Sequence, residues 1–189
     1  MLKDIFDAKT MPPNAVTALT KVDPDTIRDW RRQGIIDGIG EQGSNGRWMY
    51  SVADCVVLWM AVKLAGPKGI YMELNRALAL SHRSALRVMA TAVDGFWEEF
   101  EGQEFSEYFE VLVFDGDMDA GSEEPIRPCR VQSLAKLDDV EFHRLEVINV
   151  GHFAKTMPAE IKGHVIAIAE AYREQFAIQF DKLLRSRKR

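Results

Sequence analysis

Four arginines are the residues whose type and spacing invite chemistry. Arg28, Arg31 and Arg32 lie in one short segment, Val22-Asp-Pro-Asp-Thr-Ile-Arg-Asp-Trp-Arg-Arg-Gln-Gly-Ile-Ile36, and Arg47 follows the Asn45-Gly46 pair. A guanidinium stays charged and presents a planar fork of donors that matches phosphate oxygens and the guanine edge. A short basic helix closed by glycine, then a tight hairpin carrying an arginine, is how small DNA-reading modules are built.

The other candidate constellations do not hold together. Gly38-Ile-Gly-Glu-Gln-Gly43 spells a dinucleotide fingerprint, but that chemistry needs a strand before the glycines and a helix after them; here a helix precedes and Ser44-Asn45-Gly46 follows. Wing flexibility accounts for these glycines instead. Asp115-Gly-Asp-Met-Asp119 begins like a calcium loop, yet its sixth position is Ala120 and its twelfth Ile126, so it reads as a solvated acidic hairpin loop. Of the four histidines, His82, His143, His152 and His164, none has a close ligand partner, and Glu160 with His164 at i, i+4 suits a surface contact. Cys55 and Cys129 lie far apart with no ligand spacing and read as small buried apolar residues. No cofactor, no metal and no enzymatic activity is expected.

The net charge of −5 is unevenly distributed. Residues 1–65 carry 8 basic and 8 acidic side chains, whereas residues 101–150 carry 4 and 13. A locally basic face can therefore coexist with an acidic region that faces elsewhere. Hydrophobic residues make up 47% of the 189, ample for packed cores in one domain or two small ones. No apolar run approaches the roughly 18 residues that span a bilayer, and Met1 to Asp7 lack the charged-then-apolar order of a signal peptide, so a cytoplasmic location without membrane contact is expected.

The elements that must position the arginines follow from local signals. Asn14 is expected to cap a short helix with Val16 and Leu19 inward. Asp23 caps and Pro24 starts a second helix, which Gly34 ends. Asn45-Gly46 marks a hairpin, and Ser51 caps a third, almost wholly apolar helix to about Leu64. A fourth helix is expected from Tyr71 to about Leu80, and a separate linking helix from Ser84 to Phe100 with a heptad seam of Leu86, Met89, Val93, Phe96 and Phe100. Residues 108–114, 130–134 and 144–150 read as three strands. A long helix from Pro158 to Leu184 carries Ile161, Val165, Ile168, Tyr172 and Phe176 on one stripe and ends in a basic tail.

Thr26-Ile27-Arg28, Gly34-Ile35-Ile36, Asn45-Gly46-Arg47-Trp48-Met49-Tyr50 and Ser51-Val52-Ala53-Asp54 occur in an order that resembles the winged helix-turn-helix of the MerR and excisionase superfamily of bacterial and phage DNA-binding proteins, over residues 12 to about 80. The wing arginine stands one place away from that pattern, and Asp29-Trp30 occupy positions where MerR members usually carry paired tyrosines; Trp30 is closer to excisionases. The resemblance implies that Thr26 and Arg28 lie nearest the major groove, Arg31 and Arg32 reach phosphates or base edges, and the wing, with Asn45, Arg47 and Tyr50, meets the backbone.

The expected fold is mainly α. A winged helix-turn-helix at residues 1–80 and a linking or dimerisation helix at 81–103 lead to a small α+β domain at 104–189, with a three-stranded antiparallel sheet and the long C-terminal helix. The leading functional expectation is a sequence-specific transcriptional regulator that binds double-stranded DNA as a homodimer, with RNA polymerase or another protein as a further partner. Two alternatives stand beside it: a phage or mobile-element DNA-architecture protein of the excisionase or small terminase kind, and a protein-interaction adaptor working through the acidic region.

Overall fold

The structure, a computed structural model, describes residues 5–69, 71–93, 109–114, 127–131 and 144–186. Helix α1 spans Pro13–Thr20. Its N-cap is Pro12, with no side-chain cap, and Asn14 lies inside the first turn instead of capping it. Two prolines explain the shift: Pro12 is extended, and Pro13 at the first helical position has no N–H to be capped. Helix α2 spans Pro24–Arg32, with the Asp23 carboxylate accepting from Asp25 N at 2.8 Å. Ile27 anchors it in the core. Gly34, at φ +72°, turns the chain out of the helix.

Strands β1, Glu41–Gln42, and β2, Trp48–Met49, pair antiparallel as the wing, with Gln42 opposite Trp48. One residue beyond β2, Tyr50 exchanges two backbone hydrogen bonds of 2.8 Å with Met11, which fastens the wing root to the entry of α1. Helix α3, Val52–Ala65, begins with a capping box in which Ser51 Oγ accepts from Asp54 N and the Asp54 carboxylate accepts from Ser51 N. Residues 54–61 of α3 are all buried, so this helix is covered on every side, with α1 and the C-terminal helix among its neighbours.

After a 3-10 turn at Pro67–Gly69, helix α4 runs unbroken over Leu74–Ala92, where two helices with a break near residue 81 were expected. Within the expected gap, Ser81 Oγ donates back to Ala77 O at 2.7 Å as a residue inside the helix.

The chain divides into two compact units, residues 1–89 with 158–189, and residues 90–157. In the second, β3 (Phe109–Phe114), β4 (Arg127–Val131) and β5 (Arg144–Asn149) pair antiparallel in the order β4-β3-β5. Asn149 then caps α5, Val150–Thr156, by accepting from His152 N at 2.7 Å; this helix has no counterpart in the sequence reading. Helix α6, Ala159–Ser186, contacts α3 in the first unit, whereas the sequence grouping set it with the strands. Its buried stripe is Ile161, Val165 and Ala169, with Ile168 and Tyr172 at the margin. No helix among the described residues is long and apolar enough to cross a membrane.

Candidate nucleic-acid interface

The arginines separate into two environments. On α2, Arg28 and Arg32 project into solvent, their side chains 76% and 77% exposed. Each is paired one turn back along its own helix: Arg28 with Asp25, and Arg32 with Asp29 at 2.9 Å. Such exposed i, i+3 pairs contribute a few tenths of a kcal/mol and break readily for a stronger anion. The α2 surface is therefore a row of guanidiniums held in place, not consumed.

Arg31 is different. It is half-buried, and one of its nitrogens donates to Ile39 O at 2.8 Å and to the Tyr50 hydroxyl at 3.1 Å. Its guanidinium carbon lies 3.4 Å from the centre of the Trp48 ring and 5.7 Å from that of Tyr50. Tyr50 itself is 2% exposed. The sequence-expected set thus divides: Arg28, Arg32 and Arg47 reach solvent, while Arg31 and Tyr50 turn towards each other beneath the wing.

The wing tip is shaped by its own polar groups. Asn45 Oδ1 accepts from Arg47 N at 3.0 Å, Gly43 N donates to Arg47 O at 2.8 Å, and Gln42 Nε2 donates to Gly46 O at 2.9 Å. Arg47 is left at the exposed end of a defined turn. Gly40, at φ +75°, is required below it, because a Cβ there would fall 2.8 Å from the Tyr50 ring.

A polar hub joins wing, α3 and the N-terminal segment. The buried Asp54 carboxylate accepts from Lys9 Nζ at 2.9 Å, from Gly40 N at 3.1 Å and from Ser51 N at 2.8 Å. Lys9 also donates to Asp7 at 2.8 Å. Burial alone would lower the Lys9 pKa, but its hydrogen bonds to Asp7 and Asp54, reinforced by their charges, outweigh that effect and raise it. Beside the hub, burial first and the Asp54 charge second push the Cys55 thiol up to about 12, the behaviour of an inert core cysteine. Lys9 and Trp48 escaped the sequence reading; Lys9 meets Asp54 from the far end of the module, and no local spacing announces such a pair.

Thr26 is half-buried and, with Trp30, Val62 and Leu74, borders an open groove of about 750 Å³ beside α2. Of the expected dimerisation seam, Met89 and Val93 are buried within the chain and Leu86 is half-buried. Phe96 and Phe100 lie outside the described residues, as does the acidic Asp115–Asp119 loop. Among the described residues no cluster of His, Cys, Asp and Glu could hold a metal ion. The first two fingerprint glycines, Gly38 and Gly40, precede the wing and the third, Gly43, lies within it, with no helix following to receive a pyrophosphate.

Residues 11–73, which include α1, α2, the wing and α3, match the family described as MerR HTH family regulatory protein. No curated protein and no solved structure matches the chain significantly. The segment with the exposed arginine row, the glycine-closed helix and the wing is a MerR-like helix-turn-helix domain.

Proposed function

We propose that this chain is a sequence-specific, DNA-binding regulator of transcription that acts as a homodimer and has no catalytic activity of its own. The observation that carries the reading is the set of solvent-facing guanidiniums, Arg28 and Arg32 on α2 and Arg47 at the wing tip, on a MerR-like module. An α-helix is about 10–12 Å across with its side chains, a width that the roughly 12 Å major groove of B-DNA admits, and the nine-residue α2 extends about 14 Å along it. On contact, Arg28 and Arg32 exchange Asp25 and Asp29 for phosphates or base edges, and Thr26, near the helix N-terminus, lies closest to the bases. Arg47 meets the backbone or the adjacent minor groove, with Asn45 holding its turn. Two copies read two half-sites, which is why a two-fold dimer suits a module this small. Because Met89 and Val93 are covered within the chain, the dimer contact is not assigned to them.

Genome-wide mapping of bound DNA, followed by titration of a bound fragment at several salt concentrations, tests the reading. Footprints over promoters are expected, and Arg28→Ala, Arg32→Ala or Arg47→Ala should each lower the salt slope by about one. Footprints confined to attachment or packaging sites would overturn regulation, and absence of binding at low salt would overturn DNA recognition. Sedimentation at micromolar concentration tests the dimer.

A further inference from the structure

We infer that Arg31 is a positioning residue that locks the wing to the recognition helix, and that its guanidinium does not contact DNA. The inference rests on the DNA-binding reading and reassigns one of its arginines. Three neighbouring arginines of identical chemistry differ in what surrounds them: Arg28 and Arg32 face water, while Arg31 lies on the Trp48 ring at 3.4 Å and donates to Ile39 O and the Tyr50 hydroxyl. These partners sit at separate points of the wing. Ile39 precedes β1, Trp48 lies in β2, and Tyr50 follows β2 and pairs with Met11. A single side chain on α2 therefore ties β2, and the residues that flank the wing before β1 and after β2, to the recognition helix.

Met11 and Asp54 hold the wing at its root, but the hairpin beyond the root needs a further tie. Its two strands are two residues each, too short to be stable alone, and β1 is exposed. The lock requires a planar, multi-donor cation: it stacks face-on against one ring while its in-plane N–H groups reach a carbonyl and a hydroxyl. Lysine has the charge without the plane. Gly40 completes the arrangement, since any Cβ there would displace the Tyr50 ring from beneath the guanidinium. With the wing fixed, the separation between Arg47 and the α2 arginines is set before DNA arrives, so the interface forms without an ordering cost.

The test compares Arg31→Lys, Arg31→Gln and Trp48→Leu with Arg28→Ala, by DNA titration across salt and by amide hydrogen exchange at Gly43 and Arg47 without DNA. A positioning role predicts that Arg31→Lys and Arg31→Gln weaken binding alike, by roughly tenfold or more, with the salt slope unchanged, and that Trp48→Leu does the same. It also predicts faster exchange of the wing amides in all three variants, and not in Arg28→Ala. A phosphate contact predicts the opposite: Arg31→Lys binds nearly as well as the parent, Arg31→Gln loses about one unit of slope, and wing exchange stays unchanged. That pattern overturns the inference. If the parent protein binds no DNA, the functional reading fails, while the exchange experiment still decides the lock: unchanged wing protection in Arg31→Lys and Trp48→Leu overturns it.

Discussion

The Asp54 carboxylate lies 2.9 Å from the Lys9 ammonium, with side chains only 5% and 19% exposed, and this one contact joins the N-terminal segment to the first turn of the central helix. Asp54 also accepts from Gly40 N and Ser51 N, so the group that caps α3 is the group that holds the wing root. Asp54→Ala removes the shared acceptor, leaving the half-buried Lys9 ammonium with Asp7 and depriving the Gly40 and Ser51 N–H groups of their carboxylate. A loss of about 3 kcal/mol is expected, read as a lower urea midpoint at unchanged slope. Lys9→Met, which leaves Asp54 both of its N–H donors, should cost less; an equal or greater loss would contradict the hub.

Alkaline pH should destabilise the protein in two stages. Lys9 holds its proton above its ordinary 10.5 in the folded chain, and Cys55 is pushed from 9.0 up to about 12. A raised folded pKa means that the contribution is complete below the unfolded value and lost as pH rises towards the folded one. Unfolded Cys55 begins to ionise near pH 9, and unfolded Lys9 loses its proton from about 10.5. Urea midpoints should be level below pH 8.5 and fall from there to pH 11, with Cys55→Ala removing the earlier part. A midpoint that rises over this range would refute both assignments.

Asp25 and Asp29 should restrain DNA binding. Each sits one turn before an exposed arginine and presents a carboxylate to the surface proposed to meet phosphates. Asp29→Asn and Asp25→Asn should each tighten binding two- to tenfold at low salt, at a stability cost within about 0.5 kcal/mol. Fluorescence anisotropy and a thermal melt measure the two effects. Weaker binding in both variants would show that these pairs preorganise the arginines.

Gly38 and Gly40 offer a contrast in which backbone strain is similar and space is not. Both have positive φ, +81° and +75°; a Cβ at Gly38 meets nothing within 4 Å, whereas one at Gly40 falls 2.8 Å from Tyr50 Cε1. Gly38→Ala should cost about 1 kcal/mol from the left-handed backbone alone. Gly40→Ala should cost roughly twice that or more and should quicken exchange of the wing amides, because Tyr50 must move.

Much of the MerR-like helix-turn-helix domain was legible because its signals are short-range. Asp23 with Pro24, Gly34, Asn45-Gly46, and Ser51 with Asp54 each act on backbone groups within a few residues, so the caps, the turn and the wing can be read without knowing what packs where. The break expected between Leu80 and Ser84 is absent: the helix runs on through Leu74–Ala92, and Ser81 bonds back to Ala77 inside it.

The sequence by itself determined that residues 22–50 form a basic helix, a glycine stop and an arginine-bearing wing, since local backbone chemistry dictates each. It could not tell Arg31 from Arg28 and Arg32, which share type, charge and helix. Only the tertiary structure separates them, because α2 turns the Arg31 side chain under the wing, onto Trp48 and Tyr50, and leaves its two neighbours in water. The same holds for Lys9 and Asp54: their pairing depends on chain segments that meet only after the core around α3 has closed.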